Sequence, residues 1–466
     1  MTGPAVLGAA WVVKNLHAIL LARFHARDKL RFLPCRMQSK RRGPHPTSAV
    51  IDRCYSCHSK RSRGISDYSV LGKARDVSTL PRMTISFARQ AKRIECAAAS
   101  VCRALIWAAV VFTLAVASVA RAQIFTSSIV SSEATMPMQH GSSVVQLDDD
   151  SLLVSWYSAT NEAARDSRIF YRRSTSDGSN WGPTQIAVSP GERARESWFA
   201  NKAVGNSVLF QDKENVLWLF YAAVEAGGWS GAHVDYKTSR DRGRTWSESH
   251  RLTSGLGDLP RNKPVELAGC EILLPLSHSG FRKYAYGARL ETCAKLLQPS
   301  YPIIDGSKFS HPAFVAFGSN RVLAFVRARG GGMLQSTFFD PDKNEWSIPQ
   351  PTNLPNSDSA IDAVRLEDGR VLLAYNDHGT IRNPLSIAIS DDPDSGRAEA
   401  RLSAGAAFRK LRDIENEPGQ DFSYPSLVRA RDGTFYLTYT WRYRSAIKCV
   451  HFDGNWLGLN PVSVGR

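Results

Sequence analysis

The eight residues Ser239-Arg240-Asp241-Arg242-Gly243-Arg244-Thr245-Trp246 read as a tight hairpin turn with an anchor. Serine and aspartate side chains at this spacing bond backbone amides inside the turn. Glycine takes the positive φ that closes it, and tryptophan pins the turn to the sheet beneath. Ser174-Thr-Ser-Asp-Gly-Ser-Asn-Trp181 keeps the serine, glycine and tryptophan in register, with Ser176 where the aspartate is expected. Weaker echoes end at Trp346 and begin at Ser390. A turn that recurs in this way implies a recurring structural unit.

A second element recurs between these turns. The segments QLDDDSLLVSWYS, LFQDKENVLWLFYAA, VELAGCEILLPLSHS, FVAFGSNRVLAFVRA, AVRLEDGRVLLAYND and LVRARDGTFYLTYTW each join two apolar strands through a polar turn. Aligned on Leu153, Leu217, Leu273, Leu323, Leu372 and Tyr436, they repeat at intervals of 64, 56, 50, 49 and 64 residues. A four-stranded propeller blade needs about 40–50 residues plus loops. No helical stripe of useful length interrupts the pattern. The spacing therefore predicts an all-β chain over residues 124–466: a six-bladed β-propeller of four-stranded antiparallel blades. Radial closure also removes the exposed edges that so much antiparallel sheet would otherwise present.

Charge divides the chain differently. The net charge is +16, yet residues 1–122 alone hold 21 Lys and Arg against 5 Asp and Glu, and the remainder holds 38 of each. The propeller segment is thus neutral overall, which argues against a nucleic-acid partner. The uncharged run Ala104–Ala120 follows Arg89, Lys92, Arg93 and Arg103 and ends in Ala120-Arg121-Ala122. Positive, apolar and small-x-small parts in that order are those of an export signal, with Met83 as a start and cleavage after Ala122. Residues 1–82 then read as a non-native or disordered extension and 83–122 as the signal peptide. A periplasmic or secreted monomer without a stable membrane span is expected. Three cysteines follow the cleavage point, Cys270, Cys293 and Cys449, enough for one bridge and a spare thiol. The Cys54-Tyr-Ser-Cys57-His58 match to a haem-attachment motif lies upstream of the signal and reads as chance. With no metal-ligand cluster or phosphate-cradling glycine loop in the sequence, no cofactor is expected.

The turn Ser239–Trp246 resembles the Asp-box of the sialidase (neuraminidase) superfamily, in particular its bacterial BNR/Asp-box branch, and the resemblance extends from about Met136 to Asp453. It implies Asp-boxes on the face away from the active site, an arginine triad for a substrate carboxylate, an aspartate acid/base, and a tyrosine nucleophile paired with a glutamate. Guanidinium forks match carboxylate geometry. A neutral phenol can attack an anionic sugar that would repel a carboxylate nucleophile.

Carried over residue by residue, Tyr424 in Ser423-Tyr-Pro-Ser-Leu427 matches the nucleophile segment. Arg382 and Arg327 match the third and second arginines, with Arg329 as a near competitor of Arg327. Asp166 or Glu162, in the loop ahead of the first Asp-box, matches the acid/base. Two positions depart. Met138-Gln-His-Gly141 stands where Arg-Ile-Pro is expected, so His140 replaces the first arginine. Ser310-His-Pro312 stands where a glutamate precedes proline, so His311, or Asp362 from the next blade, takes that place. The implied function is release of a terminal acidic sugar, sialic acid or similar, from glycans by a glycoside hydrolase. The two histidines also suit a uronate-specific polysaccharide lyase, and the lost Arg and Glu suit a propeller that binds glycans without cutting them.

Overall fold

The computed structural model describes residues 123–131, 136–174, 177–298, 302–305, 308–317, 321–340, 345–390 and 407–459. The expected extension 1–82 and signal peptide 83–122 lie outside the described residues.

Six antiparallel sheets form six blades, as the hairpin spacing predicts. Blade 1 runs Met138–Gln146, Leu152–Ala159, Arg168–Ser174 and Gln185–Val188, and blade 2 runs Ala203–Gln211, Leu217–Val224, Ala232–Ser239 and His250–Arg251. Blade 3 starts with the interrupted pair Asp258–Pro260 and Val265–Glu266. Glu271–Ser279, Lys283–Glu291 and Leu296–Leu297 follow, and Pro302–Asp305 lies alongside. Blade 4 comprises Phe309–Phe317, Arg321–Ala328, Gly332–Asp340 and Glu345–Trp346, with Gln350–Asn356 as an added edge. Blade 5 comprises Asp362–Arg365, Val371–Asn376, Leu385–Ser390 and Phe408–Glu415. Ser423–Arg429, Phe435–Trp441 and Ala446–Phe452 make three strands of blade 6. Its fourth comes from the other end of the propeller segment: Phe125–Ile129 pairs antiparallel with Ala446–Phe452. Closing the last blade with an early strand ties the ring shut and covers an edge that would otherwise be unpaired.

Each of the six repeated hairpins is the first pair of strands in its blade. The second strands are buried along nearly their whole length, as in Leu152–Ala159, Leu217–Val224 and Val371–Asn376. That burial on both faces explains why they read as continuous apolar runs. First strands pack against first strands of neighbouring blades. Small hydroxyls make the hydrogen bonds between them: Ser143 Oγ accepts from the Leu209 amide at 3.0 Å, and Ser426 Oγ accepts from the Val144 amide at 3.2 Å.

Ser239–Trp246 forms the turn between the third and fourth strands of blade 2, as its sequence implies. Asp241 accepts from the Thr245 hydroxyl at 2.6 Å and from the Thr245 and Arg244 amides at 2.9 and 3.0 Å, and these bonds hold its carboxyl below the usual range. Gly243 has φ +79°, and a Cβ there would meet Leu153 of blade 1 and Leu217, each at 3.1 Å. Cys270 and Cys293 form a disulfide with Cα atoms 5.8 Å apart, joining two turns of blade 3, while Cys449 is buried and free. Among the described residues no helix is long and apolar enough to cross a membrane.

Candidate active site

One backbone device recurs at the end of the channel where the first strands begin. The pairing between first and second strands breaks into a bulge in blades 1, 2, 4 and 6, between His140 and Ser143, Gly205 and Val208, Ser310 and Ala313, and Ser423 and Ser426. The residue after the first of each pair has left-handed backbone: Gly141 at φ +63°, Asn206 at +47°, His311 at +46° and Tyr424 at +57°. Bulges redirect side chains at the rims of closed sheets. Here they turn His140, Asn206, His311 and Tyr424 into a shared cavity of ≈ 300 Å³. His311 and Tyr424 each precede proline, which disfavours helical backbone, so the surrounding contacts must hold them in place.

Tyr424 sits at the centre. Its hydroxyl accepts a 3.1 Å hydrogen bond from Arg327 Nη1. The guanidinium groups of Arg261, Arg382 and Arg327 lie 5.0, 5.5 and 5.8 Å from its ring centre. Burial alone would raise the phenol pKa, but the charges of Arg327 and Arg382 and the Arg327 hydrogen bond overcome it, and the net shift is downward. Arg327 also donates to Asp358 Oδ1 from Nε at 2.8 Å and Nη2 at 2.6 Å, and to His311 Nδ1 at 2.8 Å. A guanidinium only donates, so His311 Nδ1 must be the unprotonated nitrogen. Burial and then the Arg327 charge push the His311 pKa well down.

His140 is neutral for the same reasons. It is 1% exposed, and burial followed by Arg444, Arg382, Arg261 and Arg327 drives its pKa well below the ordinary value. Its Nδ1 bonds Thr440 Oγ1 at 2.9 Å, its ring centre lies 4.2 Å from that of Tyr424, and Nε2 stands 4.0 Å from Glu162 Oε1. Glu162 lines the cavity and pairs with Arg444 Nη2 at 3.1 Å.

The structure brings together Tyr424, His140, His311, Glu162, Arg327 and Arg382, and adds Arg329 to the same wall. It leaves out two of the predicted residues. Asp166 does not line the cavity; its carboxylate accepts from the Thr160 amide at 3.2 Å and from the Thr160 hydroxyl, closing the loop that presents Glu162. Asp362 lies buried away from the cavity, accepting from Lys263 Nζ and, at 2.7 Å, from the Leu427 amide. A carboxylate so engaged links blades 3, 5 and 6.

Sequence reasoning also misses residues. Arg261 is 2% exposed and donates to the carbonyls of Ser142 at 3.1 Å, Tyr424 at 2.6 Å and Pro425 at 3.0 Å. Its signal is slight: cations bracketed by prolines in Pro260-Arg-Asn-Lys-Pro264. Asp358 lies four residues from Asp362, which draws attention first, and Arg444 lies two residues from Arg442 in the turn after Trp441. Arg442 is instead turned to Glu417 at 2.9 Å and stacks 4.1 Å from the Trp441 ring centre.

Several solved structures share this architecture. The Hadza microbial sialidase Hz136 matches with a TM-score of 0.56 at 15% identity, over 67% of this chain and 65% of its own, so this chain spans just under two thirds of it. The intramolecular trans-sialidase of Ruminococcus gnavus matches at 0.58 and 13% identity over 72% of this chain and 99% of its own. The leech intramolecular trans-sialidase matches at 0.60 and 12% identity over 73% and 71%. Identities this low speak for the fold alone. No curated protein matches the sequence. The family model of the BNR repeat-like domain matches residues 150–437. With that match over more than half its length, the chain belongs to the BNR repeat-like domain family, and it shares the six-bladed fold of these sialidase structures.

Proposed function

We propose that the protein is a glycoside hydrolase that releases a terminal carboxylated sugar, with Tyr424 as nucleophile and Glu162, rather than Asp166, as general acid/base. The observation that carries this reading is Tyr424: its hydroxyl is held by Arg327, three guanidinium groups lie within 5.8 Å of its ring centre, and it lines the cavity. A phenol whose pKa is drawn down is a stronger nucleophile near neutral pH. Among the described residues Arg382 donates only to the Asp358 carbonyl, at 2.9 Å, and so has donors left for the sugar carboxylate. In the first step Tyr424, ionised by loss of its phenol proton to water in the cavity, bonds the anomeric carbon through Oη as the glycosidic bond breaks, and Glu162 protonates the leaving oxygen. Glu162 then takes a proton from water as water displaces Tyr424.

One observation favours a second reading. His140 Nε2 is buried without a hydrogen-bond partner beside Tyr424, and both cavity histidines are neutral. That is the state of a base able to remove the proton next to a uronate carboxylate, with Tyr424 protonating the departing oxygen and a carbon–carbon double bond left behind.

A panel of sialylated and uronate-containing glycans separates these readings. Hydrolysis leaves a product without new ultraviolet absorbance, and Tyr424→Phe or Glu162→Gln lowers kcat on the order of a thousandfold. A product with the absorbance of a conjugated double bond, lost in His140→Ala, assigns elimination instead. Tight glycan binding with no product after long incubation leaves a binding propeller.

A further inference from the structure

The cavity holds more positive charge than one sugar carboxylate can neutralise. Four arginines line it, Arg327, Arg329, Arg382 and Arg444, against the two carboxylates Glu162 and Asp358. Asp358 engages Arg327 and Glu162 engages Arg444. Two guanidinium groups then have no carboxylate partner among the described residues. Arg382 is one, and under the proposed function it takes the sugar carboxylate. Arg329 is the other.

Arg329 follows the second strand of blade 4 and reaches across to blade 3, where its Nη2 donates to Ser279 Oγ at 3.0 Å. Its Nε is buried and has no hydrogen-bond partner among the described residues. A partly buried guanidinium without a counter-ion is costly, and its planar fork is shaped for an oxyanion. Ser279 supports the same ligand, because a hydroxyl that accepts from Arg329 keeps its own proton to donate. The turn after Arg329 is pressed against the loop that carries Arg382, since Gly331 has no room for a Cβ beside the Gly379 carbonyl. Arg329 and Arg382 therefore face one bound molecule.

We propose that Arg329 and Ser279 form a second oxyanion subsite, so that the substrate is a doubly anionic glycan: a carboxylated sugar with a sulfate ester or a second carboxylate next to it. This rests on the reading of the cavity as an acidic-sugar site. The sulfate and the second carboxylate share the chemistry Arg329 recognises, two oxygens bearing a negative charge.

Calorimetric titration of the folded wild-type protein tests the assignment with three probes: galacturonate, galacturonate bearing a sulfate ester, and digalacturonate. At least one doubly charged probe is expected to bind roughly tenfold tighter than galacturonate, the scale of one charge-assisted hydrogen bond. Which probe gains shows whether the second group is sulfate or carboxylate. In Arg329→Gln that ratio falls to near one, and in Arg329→Lys part of it returns. Thermal unfolding of both variants checks that they are folded. Galacturonate binding with no gain for either doubly charged probe, or a gain that survives in Arg329→Gln, overturns the second subsite alone. Failure of all three probes to bind overturns the subsite, and failure of sialic acid, titrated as a fourth probe, overturns the acidic-sugar reading with it.

Discussion

At the scale of single residues, the site depends on buried groups. Tyr424 has left-handed backbone ahead of a proline, a conformation costing about 1–3 kcal/mol that persists only where its surroundings impose it. Arg261 supplies much of that constraint. It grips the Tyr424 and Pro425 carbonyls and reaches Ser142 on blade 1, while burial lowers its own pKa to about 10. It is a positioning residue, since it lies behind the ring and does not line the cavity. Arg261→Met removes the donors while keeping the bulk. On whichever glycan the wild type cleaves, we expect kcat to fall at least tenfold, on the order of a misplaced nucleophile. KM should move little, and the pH at which Tyr424 ionises should shift. An unchanged kcat in a folded variant would remove Arg261 from the positioning of Tyr424.

At the scale of elements, the two recurring turns have opposite tasks. The bulged starts of the first strands aim side chains into the cavity. The Asp-box between the third and fourth strands of blade 2 fastens the turn to the underside of blade 1 through Gly243 and Leu153. Its energetic core is Asp241, which accepts from Ser239 Oγ at 2.7 Å and Thr245 Oγ1 at 2.6 Å as well as from two amides. The carboxylate is open to solvent, so its contribution is held to about 1 kcal/mol, the scale of a lost side-chain cap. Asp241→Ala should lower stability to urea by about that amount and leave turnover unchanged, because no residue of this turn lines the cavity. A loss of turnover in the folded variant would couple the two faces of the propeller.

At the scale of the whole molecule, six blades deliver their first-strand ends to one place, and the charges they bring set its response to pH. His140 and His311 meet Arg261, Arg327 and Arg382, with Arg444 near His140 and Arg329 near His311, while Glu162 is the carboxylate facing His140. Both histidines have folded pKa values below the ordinary 6.5. Below that pH the unfolded chain binds protons that the folded chain refuses. Stability is therefore fully present above about 6.5 and falls as pH decreases, by up to about 1.4 kcal/mol per pH unit for each histidine. Urea unfolding between pH 7.5 and 5 should show this slope, and His140→Asn with His311→Asn should flatten it. A slope unchanged in the double variant would place its origin elsewhere.

What the sequence determined by itself was what repeats. Six hairpins and one full Asp-box are local patterns, because strand alternation and turn chemistry are written within a dozen residues, and from them the number of blades and the all-β class follow. Tyr424, Arg327, Arg382, His140, His311 and Glu162 were also legible, since each stands at a motif position or where a motif departs. The tertiary structure alone decided between near neighbours. Asp166 and Glu162 share a loop, and only its folding shows that Asp166 closes the turn while Glu162 faces the cavity. Asp358 and Asp362 lie four residues apart, and the loop between them leaves Asp358 at the cavity while Asp362 starts the blade 5 strand and is buried among three blades. Arg261 carries almost no sequence signal because its partners are backbone carbonyls of Ser142, Tyr424 and Pro425, groups every residue possesses. Their convergence on one guanidinium exists only after the ring has closed.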